Sequence, residues 1–110
     1  MKSIKEKLIS QLSLQPHPEG GFYREIYRSD HHFQGQHPNG HSGERNLATS
    51  IYYLLAEDHV SVWHRLESDE IWYFHCGCPV KIYLIDASGR LKIKTLGIDV
   101  EQGHHPQVII

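Results

Sequence analysis

The sequence has few cysteines and no long apolar run. Its two cysteines, Cys76 and Cys78, are separated by one residue, and a disulfide between them would close a strained ring. They therefore predict reduced thiols rather than a disulfide framework, which is typical of cytoplasmic proteins. The longest apolar stretches fall well short of the roughly 20 residues that span a bilayer, and the N-terminus has no apolar signal-peptide core. We predict a soluble, cytoplasmic protein with no membrane partner.

The sequence also lacks an excess of charge of either sign. Lys and Arg number 11 against 13 Asp and Glu, which gives a formal net charge of -2. Such a chain has no broad positive field to attract phosphate groups, so the composition gives no reason to expect a nucleic-acid partner. A chain of 110 residues has the length of one small domain, which buries roughly 60–70% of its unfolded surface. We predict a single domain over residues 1–110.

The N-terminal segment predicts the helix of this protein. Ser3 and Glu6 form a capping box, and apolar residues at helical spacing continue to about Leu14. Pro16 and Pro18 end this pattern. The helix is therefore expected within residues 1–14 and the β-portion within residues 15–110.

Strand patterns dominate the rest of the chain. Residues 22–28 alternate, which places Arg24 and Arg28 on the face of Phe22 and Ile26, opposite Glu25. Five further runs show the same strand pattern and are separated by polar turns: 47–55, 60–66, 70–76, 80–87 and 90–96.

The segment between the first two strand patterns differs from both. Residues 29–46 show no period and predict a long exposed loop. Consecutive short strands after one helix predict an all-β protein, folded as an antiparallel sandwich or barrel.

One segment places polar groups among aromatic ones. If residues 67–69 form a three-residue hairpin loop, His64 faces Trp72 and Leu66 faces Glu70 on one side of a ribbon. A carboxylate in such an apolar wall costs several kcal/mol unless it is paired, hydrogen-bonded or metal-bound, so the pattern indicates a site. His64 and Glu70 are the candidate catalytic pair, acting as base and acid on a sugar-like or carbonyl-containing compound. The alternative is a structural pair in which Glu70 ties down His64 or a backbone amide.

The same segment carries a family resemblance. His64, Glu70 and Gly77 are spaced as in the first cupin motif, although Leu66 replaces a second histidine and Asp58 replaces a glycine. Four stretches in the same order are similar to the cupin branch called Cupin_5, or domain of unknown function 985: LQPHPEGGFYRE at 14–25, ATSIYYLL at 48–55, SVWHRLESDEIW at 61–72 and GHHPQVI at 103–109.

The resemblance implies an antiparallel double-sheet jelly roll, the cupin barrel, with one N-terminal helix. It also implies a homodimer and a small-molecule pocket inside the barrel, without a settled family-wide activity. Members usually continue through a second motif and further strands. Since the apolar run 108–110 ends the sequence, we expect the barrel to lack its C-terminal strands, or to exchange a strand with another chain.

Three further residues are candidate ligand contacts. Arg24 lies among apolar neighbours on its strand, where a guanidinium suits a ligand carboxylate or phosphate. An ion pair with Glu70 or another acid is the slightly favoured alternative. Trp72 would line the pocket, and Gln107 occupies a family position near the barrel mouth, where the resemblance implies an amide donor.

A divalent metal ion is a weaker alternative. A catalytic ion needs three or four ligands, and only His64 and Glu70 are supplied by the first motif. The sequence therefore does not supply a full set of ligands for a metal ion, and we predict no definite cofactor. His75, Cys76 and Cys78 could in principle act as soft metal ligands. We favour instead two core thiols at a turn, because alternation places His75 on the opposite face from the cysteines.

Three classes of function follow. The preferred one is a cupin-like protein that binds a small polar molecule, sugar-like or a carboxylate or keto compound, with epimerase- or isomerase-type acid–base chemistry. The second is a non-catalytic ligand-sensing or storage-like protein with the same pocket. The third is a metal-dependent oxygenase, which requires at least one further donor near His64.

Overall fold

The computed structural model describes residues 1–33, 45–57, 59–66 and 68–110. Within these ranges the protein is mostly β, with one α-helix, several antiparallel sheets and a one-turn 3-10 helix at Val100–Gln102. The residues form two compact units, unit 1 (Met1–Arg65) and unit 2 (Leu66–Ile110). Among the same residues, no helix has the length and apolar character needed to cross a membrane.

The helix α1 (Ile4–Leu12) begins at the predicted cap. The Ser3 side chain accepts a hydrogen bond from the Glu6 backbone N–H at 3.1 Å. At the other end Ser13 adopts a left-handed conformation with φ 54°, and the Leu14 N–H donates back to the Ile9 carbonyl at 3.0 Å. The helix therefore stops two residues before the end of its apolar pattern, because the left-handed residue turns the chain away.

Unit 1 contains a three-stranded antiparallel sheet. Its order is β1 (Gln15–Pro16), β2 (Phe22–Arg28) and β5 (Thr49–Leu54). The bounds of β2 are those predicted. A separate pair joins β3 (His32–Phe33) to β4 (Arg45–Asn46), so the ends of the predicted loop 29–46 are paired. Its centre, residues 34–44, lies outside the described residues.

A register shift changes the faces of β2. Glu25 pairs with Ile51 and Tyr27 pairs with Ser50, which leaves Ile26 as the extra residue of a β-bulge. Beyond the bulge Arg28 therefore lies on the face of Glu25, and its Nε is 2.7 Å from Glu25 Oε1. The prediction that Arg28 shares the face of Arg24 was wrong, because simple alternation does not allow for an extra residue.

Unit 2 contains two strand pairs around a small apolar core. Strand β6 (Ile71–Tyr73) pairs with β9 (Gln107–Ile109), and β7 (Val80–Ile85) pairs with β8 (Leu91–Leu96). The core consists of Ile82, Leu96 and Val108. The half-buried side chains packed against it are Trp72, Phe74, Val80, Leu84 and Ile110. The apolar run at 108–110 is thus used within this unit.

Residues 60–66 correct the predicted hairpin. They form no strand, and β6 pairs with β9 instead. The ladder that was expected to set His64 opposite Trp72 is therefore absent. The remaining predicted strands are shorter by one to four residues than their patterns, since the ends of each run lie outside the paired residues.

Candidate functional site

A tight turn between β1 and β2 is closed by backbone hydrogen bonds. The His17 N–H donates to the Gly21 carbonyl at 2.8 Å, and the Gly20 N–H donates to the His17 carbonyl at 3.1 Å. Gly20 has φ 105°, a conformation that L-residues with a side chain rarely adopt. The sequence PHPEGG thus folds back on itself and presents Glu19 at the tip.

This turn also holds the segment that was expected to be a strand. A Cβ atom on Gly20 would lie 2.5 Å from the Val60 carbonyl oxygen, so only glycine permits the approach. The Val62 N–H donates to the Glu19 carbonyl at 3.0 Å. From β5, the Tyr53 hydroxyl donates to the Gly20 carbonyl at 2.5 Å. The Val62 N–H therefore finds its partner in the turn rather than in a β-ladder.

The turn places Glu19 beside His64. The His64 Nδ1 atom lies 2.9 Å from Glu19 Oε2 and 2.8 Å from the Val62 carbonyl oxygen. Both neighbours are acceptors, so Nδ1 must carry the proton and donate. In the neutral ring Nε2 then carries the lone pair. The side chains of His64 and Glu19 are 30% and 38% exposed, so the pair is partly accessible to solvent.

His17, in the same turn, has the opposite arrangement. Its Nδ1 accepts a hydrogen bond from the Glu19 backbone N–H at 3.0 Å, so the proton of the neutral ring lies on Nε2. Its ring packs edge-on against Tyr23 at 4.9 Å and Tyr53 at 5.2 Å between centroids. Glu19 therefore fixes one histidine through its amide and contacts the other through its carboxylate.

Glu70 and Trp72 are brought together in unit 2. The Trp72 indole N–H donates to Glu70 Oε1, and the Glu70 carbonyl accepts from the Ile110 N–H at 2.8 Å. Trp72 is half-buried and packs against the core. The sequence prediction of a carboxylate beside an aromatic wall therefore describes this pair, although the partner is an indole rather than an imidazole.

Gln107 lies on the other face of the same strand pair. It pairs with Tyr73, while Trp72 pairs with the buried Val108. Directly paired residues share a face, so Gln107 is directed away from the core on which Trp72 packs.

Arg24 lies on an exposed part of β2. Its Nη1 donates to the Leu12 carbonyl at the end of α1, at 3.4 Å. The guanidinium of Arg24 thus contacts a helix carbonyl, whereas sequence reasoning favoured an ion pair with an acid.

The predicted site residues are divided between the units. Arg24 and His64 lie in unit 1, whereas Glu70, Trp72 and Gln107 lie in unit 2. The pairing of His64 with Glu70 stays a prediction. Sequence reasoning assigned Glu19 no place in the site and so missed its contact with His64. The available signal was a carboxylate directly before two glycines, since glycines mark a place where another backbone approaches closely.

The structure also describes the candidate metal ligands and the two thiols. No group of three or more His, Cys, Asp or Glu residues there could hold a metal ion. Glu19 is one carboxylate beside His64, but a third such ligand close to both is not found among these residues. Cys76 and Cys78 are both free and exposed, so the prediction of core thiols was wrong.

Together these features define a class: a mostly β protein with one helix, antiparallel sheets and a carboxylate–histidine pair on a glycine turn. The chain belongs to the Cupin_5 family of the cupin superfamily (DUF985), whose model matches residues 6–110.

Three relatives were compared with this chain. The uncharacterized protein YML079W of Saccharomyces cerevisiae is 30% identical over 115 residues, which cover 98% of this chain and 57% of the relative. The crystal structure of protein SO0799 from Shewanella oneidensis is similar with a TM-score of 0.83 and 42% identity, covering 100% of this chain and 64% of that one. A hypothetical protein from Leishmania major gives a TM-score of 0.83 at 34% identity, covering 94% and 62%. This chain therefore spans about three-fifths of the length of these relatives.

Proposed function

We propose that this protein binds a small polar molecule, sugar-like or a carboxylate or keto compound, and that His64 exchanges a proton with it. The observation that carries the proposal is the hydrogen bonding of the imidazole. Two acceptors hold Nδ1, and Nε2 has no partner among the described residues. An imidazole whose second nitrogen is left without a protein partner is suited to proton transfer near neutral pH.

The reaction class that fits this group is epimerase- or isomerase-like. Such reactions remove a proton from a carbon next to a carbonyl and return it, which a single well-oriented base can begin. Glu70 is proposed as the acid, Trp72 as an apolar wall, and Arg24 and Gln107 as ligand contacts. A closed jelly roll and a homodimer, which the family resemblance implies, and a cytoplasmic setting, which the cysteine content favours, are further parts of this proposal.

A non-catalytic ligand-binding role is the second candidate. It is favoured by the contacts that Glu70 and His64 already make with protein groups, namely Trp72 for the first and Glu19 and Val62 for the second. A sensor or storage-like protein would use such fixed groups to recognise a ligand without transferring a proton.

Ligand binding is tested by a thermal-shift screen with sugar nucleotides and small keto acids. A ligand at about 100 times its Kd stabilises the folded state by about 2.7 kcal/mol, which raises the melting temperature. The same screen on His64→Ala should lose the response, whereas His105→Ala, which alters another exposed histidine, should retain it. An undiminished response in His64→Ala would remove His64 from the binding site.

Catalysis is tested separately with any compound that binds. Incubation in deuterium oxide, followed by NMR of the compound, detects exchange of a carbon-bound proton with solvent. Exchange that disappears in His64→Asn supports the epimerase- or isomerase-like reaction. Binding without exchange supports the sensor or storage role.

A further inference from the structure

We propose that Glu19 is the positioning residue of His64, and that the two form a carboxylate–histidine pair whose working atom is His64 Nε2. This inference rests on the proposed proton exchange at His64 and deepens it. It adds a residue from the N-terminal turn to a site otherwise drawn from the first cupin motif.

The hydrogen-bond geometry supports this role. Glu19 Oε2 lies 2.9 Å from Nδ1, within the range of a charge-assisted hydrogen bond. The Val62 carbonyl accepts at the same nitrogen, at 2.8 Å. With both acceptors on one nitrogen, the ring is held in a single tautomer and a single orientation.

The carboxylate is held on a rigid support. Three backbone bonds fix the turn and the segment beside it: His17 to Gly21, Gly20 to His17, and Val62 to the Glu19 carbonyl. The Tyr53 hydroxyl adds a fourth bond, to the Gly20 carbonyl. Since this backbone is already ordered, holding the carboxylate against His64 costs only side-chain entropy.

The pair has a clear chemical consequence. When Nε2 takes a proton from a ligand O–H or an acidic C–H, the ring becomes a cation and the ligand an anion. The Glu19 carboxylate, directly beside Nδ1, stabilises that cation until Nε2 returns the proton. Partners of this kind orient a histidine, and the loss of the corresponding partner of a metal-bound histidine typically costs about 10–100-fold in activity.

A matched control exists in the same unit. Glu25 is similarly exposed but forms its ion pair with Arg28, at 2.7 Å. Glu25→Gln therefore removes a carboxylate of similar exposure without altering the contact between Glu19 and His64.

The first test reads the tautomers directly, by nitrogen-15 NMR of the histidine rings at a pH where they are neutral. In the wild type, His64 should carry its proton on Nδ1 and His17 on Nε2. Glu19→Ala should reduce the Nδ1–H population of His64 and leave His17 unchanged, because the backbone N–H that contacts His17 remains. Glu19→Gln should preserve both tautomers, since its amide oxygen still accepts.

The second test reads the reactivity of Nε2, by the rate at which diethyl pyrocarbonate acylates His64. Nε2 forms a bond to a carbonyl carbon of the reagent, ethyl carbonate leaves, and Nδ1 loses its proton. Loss of the carboxylate should slow this reaction about 10-fold in Glu19→Ala and Glu19→Gln. The rate in Glu25→Gln should be that of the wild type.

Neither test depends on a ligand, so failure of the ligand screen leaves this inference standing. The inference would be overturned if wild-type His64 carried its proton on Nε2. It would also be overturned if Glu19→Gln left the rate of acylation unchanged. If circular dichroism shows that Glu19→Ala is unfolded, Glu19→Gln alone decides the outcome.

Discussion

Unit 2 places three buried apolar side chains at its centre, whereas the buried residues described in unit 1 are Gly21 and Ser29. Unit 2 is thus organised by packing, and its strand pairs enclose Ile82, Leu96 and Val108. The order of unit 1 comes from hydrogen bonds that close the turn at 17–21 and attach residues 60–64 to it. The comparison teaches that the carboxylate–histidine pair is placed by directional bonds, which tolerate small errors in geometry less well than apolar packing does.

The largest expected loss of stability comes from a cavity in the core of unit 2. Leu96 is 4% exposed, and Leu96→Ala should lower the free energy of unfolding by about 2–5 kcal/mol, because it leaves a cavity in the core. Leu91 lies on the same strand but is 56% exposed, so Leu91→Ala should change stability by no more than about 0.5 kcal/mol. Chemical denaturation measures both, and equal effects would show that this core does not stabilise unit 2.

The next largest loss of stability is expected from a substitution in the turn of unit 1. Gly20→Ala combines a φ of 105° with a Cβ 2.5 Å from the Val60 carbonyl oxygen, and should cost about 1–3 kcal/mol. Gly103→Ala is the control, since its φ is 85° but no atom lies within 4 Å of the added Cβ. Gly20→Ala should also shift the ring resonances of His64, which Gly103→Ala should leave in place. A larger loss of stability in the control would contradict the close approach at Gly20.

A smaller effect removes one hydrogen bond from unit 1 without creating a cavity. Ser3→Ala deletes the side-chain cap of α1 and should cost about 1 kcal/mol. Ser10→Ala, at an exposed position inside the helix, should be neutral or slightly stabilising because alanine has the higher helix propensity. Thermal unfolding followed by the helical circular dichroism signal measures the difference in stability between the two variants. Equal stabilities would show that the cap contributes nothing.

The smallest effect concerns a hydrogen-bonded turn within unit 2. The Ser88 hydroxyl and then the Arg90 N–H donate to the Asp86 carboxylate, at 2.6 and 3.0 Å, and these bonds lower the pKa of Asp86 below its ordinary value of 3.8. A lowered pKa adds stability above the ordinary value, and this stability is lost as the pH falls through the folded-state pKa.

Asp86→Asn provides the measurement, because asparagine still accepts hydrogen bonds but does not titrate. The difference in melting temperature between wild type and Asp86→Asn should shrink as the pH falls below about 4. A difference that is constant with pH would show that the charge of Asp86 does not matter to the turn.

Local patterns predicted the parts of the fold that depend on neighbouring residues. The cap at Ser3, the bounds of β2 and the presence of strands β7 and β8 on either side of a turn all follow from periodicity and turn chemistry within a few positions. The resemblance carried by PHPEGG and the first cupin motif identified the family correctly.

Distant pairings could not be predicted in the same way. Residues 60–66 have a strand pattern, but the Val62 N–H bonds to Glu19, far away in the sequence. The partner of β6 is likewise β9 rather than the preceding segment. The contact between Glu19 and His64 depends on the same distant approach, which periodicity along one strand does not encode.

The bulge at Ile26 makes the length of β2 part of its chemistry. If Ile26 joined the ladder as a paired residue, strict alternation would carry Arg28 over to the side of Arg24 and separate it from Glu25. The ion pair therefore depends on position 26 staying unpaired rather than on the side chain that this position carries.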